Sequence, residues 1–430
     1  MTARALSLCA AALLLSLAAP PAMAATAGSA ATAGSAAIAA SVQPWPLPSG
    51  DVHAAQPSLT AHGDDLLLSW IERSGSGHRL RFARAGADGV FAAPRTIAEG
   101  SDWFVNWADF PSLLALENGD LIAFVLQKSA ALPYAYDLRV LRSTDGGAGW
   151  SEARTIHDDG TATEHGFAAL WPAGGDRAGI AWLDGRATAK NAGDAAHHGH
   201  GGGAMSLRAA EFDRDGKQAE WPLDDSTCDC CQTDAALTSA GPVLVYRDRT
   251  EGELRDIAIV RRLGSGAQAR WSAPALVHAD GWMMPACPVN GPAVAAHGDQ
   301  VLVAWYTAAG GMPAVKLARS EDAGASFAAP LVVATGAAVQ GRVDVQVGAD
   351  GALVSWLLED AEGQSLWLAP LADAAAAAPA LAPLRVANLQ ARGRASGFPR
   401  MAVRGGVAHL VWTDVVDGAP RLRGARVQWQ

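Results

Sequence analysis

The chain has 430 residues, 50% of them hydrophobic and 18% charged, with 43 acidic residues against 33 basic ones. That acidic balance argues against a nucleic-acid partner, which would need a basic surface to meet phosphate.

The first segment reads as an address label. Arg4 is the only charge before an apolar run from Ala5 to Ala19, and Pro20, Pro21 and Ala22-Met23-Ala24 follow. Small residues at −3 and −1 suit a signal peptidase, so residues 1–24 read as a signal peptide and the product as periplasmic or secreted. Cys9 lies too early for a lipoprotein site. The run is too short to span a bilayer and no second stretch is long enough, so no membrane span is expected. Residues 25–40 repeat Ala-Thr-Ala-Gly-Ser and read as a flexible low-complexity leader. Residues 41–430 then form one domain, expected as a monomer.

Within that domain one pattern recurs: a short apolar strand ending in an aromatic residue, at Trp70, Phe124, Trp182, Tyr246, Trp305, Trp356 and Trp412. The spacings are 54, 58, 64, 59, 51 and 56 residues. Each aromatic strand precedes an Arg-punctuated strand with period-two alternation, such as Leu80-Arg-Phe-Ala-Arg84 or Val315-Lys-Leu-Ala-Arg319. A first strand stands before it (Pro57-Ser-Leu, Pro292-Ala-Val). A Pro-ended fourth follows (Phe91-Ala-Ala-Pro94, Phe327-Ala-Ala-Pro330), where proline suits an outer edge. A period near fifty without helical patterning predicts an all-β propeller of about seven four-stranded blades. The seventh repeat ends after its third strand, and residues around Val42 to Leu47 are expected to supply the fourth and close the ring.

Two third-to-fourth turns, Ser143-Thr-Asp145-Gly-Gly147-Ala-Gly-Trp150 and Ser320-Glu-Asp322-Ala-Gly324-Ala-Ser-Phe327, fit Ser-x-Asp-x-Gly-x-x-aromatic. They resemble the Asp box (BNR repeat) of sialidase-like propellers; Asp88-Gly and Asp213-Arg-Asp215-Gly216 look like eroded copies. The resemblance implies a glycan-binding propeller and, as an alternative blade count, six. It also implies an exo-sialidase-like glycoside hydrolase, although no Arg-Ile-Pro stands in the first repeat and no tyrosine lies near the chain's end.

Antiparallel blades put the Asp boxes on one face. Second-to-third loops and blade-to-blade connections share the other, and the unusual residues gather there, as at a binding funnel. Glu164 and His165 form an acid/base candidate, and Asp248 and Asp344 are carboxylates suited to glycoside hydrolysis. Arg186, Arg247, Arg249, Arg342 and Arg400 are candidates for an anionic ligand, with Trp103 and Trp282 to stack on sugar rings. Each of these also has a plainer reading as a loop brace or junction cover.

Cys228, Cys230, Cys231 and Cys287 lie on neighbouring connections. In an exported chain disulfides are the favoured reading. Soft thiolates around copper or zinc, with His165, Met283 or Met284, are the alternative. His197-His198-Gly-His200 lies in the longest loop, as a disordered insertion or a loose metal site. The Ala-rich stretch from Asp373 to Pro383 reads as an extended turn. Three functions therefore stand open: an anionic-glycan propeller, a soft-metal protein and an interaction platform.

Overall fold

A computed structural model describes residues 40–50, 52–191, 203–264, 266–348, 351–371 and 382–429. The expected signal peptide, most of the leader, the His197–His200 tract and nearly all of the Ala-rich turn lie outside the described residues. The chain divides into a unit Met1–Ala37 and a unit Ile38–Gln430 that carries the whole fold.

That unit is a seven-bladed β-propeller. Blade 1 is Ala54–His62, Asp65–Ser74, Gly77–Ala85 and Arg95–Gly100; blade 2 is Leu113–Ala115, Leu121–Lys128, Tyr136–Ser143 and Arg154–Thr155. Blade 3 is His165–Pro172, Ala178–Asp184, Met205–Phe212 and Lys217–Thr227. In blade 4, Asp234–Thr238, Gly241–Arg247 and Ile257–Leu263 are followed by two short segments, Arg270–Trp271 and Ala275–His278, that both pair with the third strand. Blade 5 is Ala293–His297, Gln300–Thr307, Ala314–Ser320 and Leu331–Thr335; blade 6 is Val339–Gly348, Gly351–Glu359, Gln364–Leu371 and Leu384–Leu389. Blade 7 takes Arg400–Arg404, Val407–Val416 and Ala419–Trp429 from the end of the chain and its outer strand, Ala40–Pro44, from the beginning. Every pairing within a blade is antiparallel, and Ala40 faces Trp429. The predicted closure is therefore present.

The seven aromatic residues that mark the repeat lie within their second strands, inside the core, from 0% exposed at Trp70, Phe124 and Trp182 to 6% at Trp412. Three indoles also answer a carboxylate: Trp70 donates to Glu72 at 2.8 Å, Trp182 to Asp184 at 2.8 Å and Trp305 to Asp280 at 2.7 Å. These pairs satisfy a buried indole N–H, whereas the Nε1 groups of Trp356 and Trp412 have no such partner.

Both Asp boxes are built as turns. Asp145 accepts from the N–H groups of Ala148 and Gly149, and Ser143 Oγ from Gly147; Asp322 and Ser320 repeat the pattern with Ser326 and Gly324. Gly147 sits at φ 87°, where a side chain would strike the ring of Phe82 on the neighbouring blade at 2.1 Å. The turn thus needs glycine for its backbone and for the packing of one blade on the next. The eroded copies keep part of this, with Val90 N–H on Asp88 and Gly216 N–H on Asp213.

At the channel, side chains of one blade satisfy backbone groups of the next. Gln56 Nε2 reaches Asn106 O at 2.5 Å, Asp109 accepts Phe167 N at 2.8 Å and Asp234 accepts Val294 N at 2.8 Å. Asn290 accepts Arg342 N at 2.8 Å, Asp344 accepts Met401 N at 2.7 Å and Thr413 Oγ1 accepts Gln56 N at 3.2 Å. The first strands of blades 1, 3 and 6 break register at a bulge, where Gln56, Phe167 and Arg342 have φ of 59°, 52° and 53°. Non-glycine residues held there cost about 1–3 kcal/mol each, and a bulge re-aims its side chain.

Candidate functional site

The first strands line a cavity of about 430 Å³ whose charged residues are Asp234, Asp344 and Arg400. Asp344 is 5% exposed, and its two oxygens accept Val345 N at 2.8 Å and Met401 N at 2.7 Å. Burial pushes this carboxyl up to about 6 against the pull of Arg400, and the charge of Asp234 adds to the rise. Asp248 does not join it: its charged neighbours are Asp224 and Asp256, and it accepts Arg249 N at 2.7 Å. The expectation of an Asp248–Asp344 catalytic pair is therefore corrected. Asp344 is a staple between blades 6 and 7, and Asp248 braces the second-to-third loop of blade 4.

Glu164 and His165 enter blade 3 inside a buried charge cluster. His165 is 0% exposed, with Nδ1 3.3 Å from Tyr136 O and Nε2 3.0 Å from an Asp159 carboxylate oxygen. Both partners are acceptors, so a ring protonated on both nitrogens satisfies both contacts. Burial works against that charge, but the hydrogen bond to Asp159 and the field of Asp184 raise the ring above its ordinary value. His157 stacks on it at 3.6 Å, held below its usual range by burial and by the His165 charge. Asp159 serves both rings as well as Thr161 and Arg186. His165 has no free nitrogen with which to take a proton, so its expected acid/base role is corrected to that of a charge brace.

Glu164 faces a second group. The Tyr136 hydroxyl lies 2.8 Å from Glu164 and 2.6 Å from Asp109, and Tyr136 is 0% exposed. One phenolic proton cannot serve two carboxylates, so one of the two acids must carry a proton of its own. Burial pushes Asp109 up to about 6 despite hydrogen bonds from Tyr136 and Phe167 N–H. This Tyr–carboxylate pair is sealed beneath Phe104, which stacks on Tyr136 at 4.1 Å.

Three of the five arginines are used internally. Arg186 binds Asp184 at 2.7 Å, Glu220 at 3.2 Å and Asp159 at 3.3 Å. Arg249 binds Asp229 at 3.0 Å and Glu253 at 2.8 Å. Arg247, 1% exposed, gives its N–H groups to the carbonyls of Asn290, Arg255 and Tyr306 and lies 4.8 Å over Trp282. Their expected part in binding an anion is corrected to bracing. Trp103 and Trp282 are 8% and 6% exposed, so they cover blade junctions instead of offering open faces.

Arg342 and Arg400, like Arg247, make no ion pair among the described residues. Arg342 sits 4.7 Å over the half-buried Trp107 and donates to Ser396 Oγ at 2.6 Å and Gly397 O at 3.1 Å. The exposed Arg394 approaches the same indole at 5.8 Å. Burial pushes Arg342 down to about 10; Glu359 resists the fall and Arg394 deepens it. Gly341 is required beside it, because a Cβ there would meet Asn290 Oδ1 and the Tyr306 side chain at 2.6 Å.

The four described cysteines converge, and none is disulfide-bonded, so the favoured expectation of disulfides does not hold in this structure. The sulfurs of Cys228, Cys230 and Cys231 lie within 4.8 Å of one another, and Cys287 bonds Cys230. His165 is tied to Asp159, outside this group, and Met283 turns to the surface at 68% exposure.

Sequence reasoning did not single out Asp109, Tyr136, His157, Arg255 or Phe398. Asp109 and Tyr136 work through partners tens of residues away, and no local motif marks any of the five. Nor did it anticipate a cleft of about 490 Å³ on the Asp-box face, between blades 2 and 3, lined by Arg142, Arg154, Arg214 and Lys217. Two of these bases already share Asp120.

No known protein family matches the chain by sequence, and no curated protein does either. Several solved structures are similar to it. The polysaccharide lyase Uly1 aligns with a TM-score of 0.49 at 7% identity, over 87% of this chain and 90% of its own. The NanB sialidase of Streptococcus pneumoniae aligns at 0.46 and 12%, over 90% and 71%. An ulvan lyase of polysaccharide lyase family PL25 aligns at 0.44 and 11%, over 70% and 76%. At such identities and scores these likenesses carry no activity across to the chain.

Proposed function

We propose that this chain is an exported propeller that binds an acidic glycan at the mouth of its funnel, with the exposed Arg394 and the half-buried Trp107 as the contact group and the buried Arg342 behind them. One observation carries the reading: two guanidinium groups meet at one indole, and neither has a carboxylate in ion-pair contact among the described residues. A guanidinium fork takes a sugar carboxylate or sulfate bidentately, while an indole face stacks on a pyranose ring. Arg400 stands among the first strands, 4.9 Å over Phe110, beside Asp234 and Asp344. The carboxylates near the mouth are committed to backbone N–H groups, Tyr136 or arginines, which favours binding over hydrolysis.

Calorimetric titration of the mature protein with uronate-containing, sialylated and neutral oligosaccharides of equal length tests this. The acidic ligands bind and the neutral ones do not, and Arg394→Ala, at an exposed position, weakens binding about tenfold, the size of one charge-assisted contact. Equal affinity for neutral and acidic sugars, or an Arg394→Ala protein that binds as the parent does, rejects the reading. Release of sugar acid during the same incubation would show a hydrolase. N-terminal sequencing of secreted protein tests export, with a start at Ala25 expected.

A further inference from the structure

The cysteine group is not needed for glycan binding, and its setting is unusual for neutral sulfur. Cys228, Cys230 and Cys231 stand on the connection from blade 3 into blade 4, and Cys287 on the connection into blade 5. The turn is held from both sides. Cys228 N–H bonds Arg247 O at 2.9 Å, Met205 N–H reaches Asp229 at 3.4 Å, and Arg249 bonds Asp229 at 3.0 Å. A local brace of this kind fixes the sulfurs before any ligand arrives. The Sγ atoms of Cys228 and Cys231 are in direct contact at 2.6 Å.

Charge bookkeeping points the same way. Three guanidinium groups stand by the cluster, those of Arg247, Arg249 and Arg255; of the nearby carboxylates, Asp229 and Glu253 pair with Arg249 and Arg255, while Asp248 and Asp256 accept backbone N–H groups. Arg247 is 1% exposed and has no carboxylate partner among the described residues. Arg255 is 2% exposed; it bonds Glu253 at 2.6 Å, and its Nη1 has no hydrogen-bond partner. A buried cation demands an anion, and the sulfurs are the groups in place to supply it. A disulfide is neutral and would leave Arg247 with carbonyl oxygens and the Trp282 ring but no anion. Thiolates around a metal ion keep a net negative charge and answer it.

We infer that Cys228, Cys230 and Cys231, with Cys287 as fourth ligand, form a thiolate site for one soft closed-shell cation, Cu(I) or Zn(II). Thiolate ligands select these ions over hard ones. Metal–sulfur bonds of about 2.3 Å place sulfurs just under 4 Å apart around a common ion, which the cluster meets with small side-chain rotations. Access is graded as well: Cys228 and Cys231 are 1% exposed, Cys230 is half-buried and Cys287 is open. That gradient gives an ion a path from solvent to the inner ligands.

The test uses the full mature chain, reduced anaerobically without chelator and titrated separately with Cu(I) and Zn(II) against competing colorimetric chelators. The expected result is one ion per chain, thiolate-to-metal charge-transfer absorbance for Cu(I), and four thiols protected from alkylation. Cys287→Ser, an exposed change that leaves the core alone, lowers affinity at least about tenfold, and Cys230→Ser abolishes the site. Those variants also separate this site from any binding by the His197–His200 tract, which they leave intact. Retention of copper under excess zinc assigns Cu(I), and retention of zinc alone assigns Zn(II). Binding that is the same in the double Cys230→Ser, Cys287→Ser protein overturns the inference. A reduced chain that binds neither ion, or one that only re-forms a Cys228–Cys231 disulfide, overturns it equally. None of these outcomes depends on glycan binding.

Discussion

Replacing Asp159 by Asn tests whether the buried cluster of blade 3 is an ion pair built around a charged histidine. Asp159 accepts from His165 at 3.0 Å and lies 3.1 Å from His157 and 3.3 Å from Arg186, with a side chain 7% exposed. The amide keeps the shape and removes the charge, leaving a fully buried imidazolium with Asp184 at 3.8 Å as its nearest carboxylate. Breaking a buried pair from one side costs about 3–5 kcal/mol, and the surviving Asp184 argues for about 3. At about 2.1 cal/mol/K per residue, a unit of about 390 residues unfolds with an entropy of about 0.8 kcal/mol/K, so Tm falls by about 4 °C.

The loss must also depend on pH in a set direction. His165 has its proton affinity raised by folding, so its contribution is full below about pH 6.5 and is lost as pH climbs through the raised value. Asp159 is held far below its usual range, so its contribution is present above about pH 4 and is lost only on strong acidification. The gap between parent and variant is therefore widest between about pH 4 and 6.5 and narrows in alkali. Calorimetric melts of both proteins at pH 5.5 and pH 9 check this. A shift below 1 °C at pH 5.5, or a gap that widens with pH, refutes the imidazolium.

Three further outcomes follow from the same geometry. Trp45→Ala empties a site 3% exposed, where the indole donates to Gly89 O at 2.9 Å and packs on Phe91 at 4.7 Å; it costs about 3–5 kcal/mol, read as a melting shift of about 4–6 °C. An unchanged Tm would mean that the closing segment adds nothing. Folding raises Asp109 to about 6, so its carboxylate lowers stability as pH passes from about 4 through 6. Asp109→Asn accordingly gains about 1–2 kcal/mol on the parent at pH 8 and little at pH 4.5 in denaturant titrations; a loss at pH 8 contradicts the buried-acid reading. Asp322→Ala removes the exposed acceptor of Ser326 N–H and, discounted for solvent, costs about 1 kcal/mol by denaturant midpoint, whereas no cost would make the Asp box ornamental.

The architecture was legible because it rests on repetition. Seven large aromatics at similar spacing report one packing position seven times, and a register of period two survives in any one strand. The closing strand could be inferred because the last blade lacked a partner for its third strand. The site was legible only as an address. Glu164 and His165 do lie at the funnel face, but their chemistry is decided by Tyr136, Asp109 and Asp159. Of these, Asp109 reaches the cluster across 55 residues of chain, a distance at which sequence pattern is silent. Asp344 and Arg247 show the same limit. A carboxylate and a guanidinium look alike in sequence whether they meet a ligand or a backbone, and only burial tells them apart. The cysteines ran the other way: their clustering was visible, while the buried Arg247 that gives it meaning came from the fold.

The clasp between Ala40–Pro44 and Ala419–Trp429 also fixes when the molecule becomes whole. Its two halves are separated by nearly the entire chain, so joining them costs about 5 kcal/mol of loop entropy if nothing else has formed. That cost vanishes once six blades have already brought the ends together. The first strand to be made is thus the last to find its place, and until then both it and blade 7 present bare edges to any neighbour. A nascent chain held at an intermediate length would carry a strand without a mate, ready to pair with another copy. The ring is a time-ordered object as much as a spatial one, and its weakest moment falls just before completion.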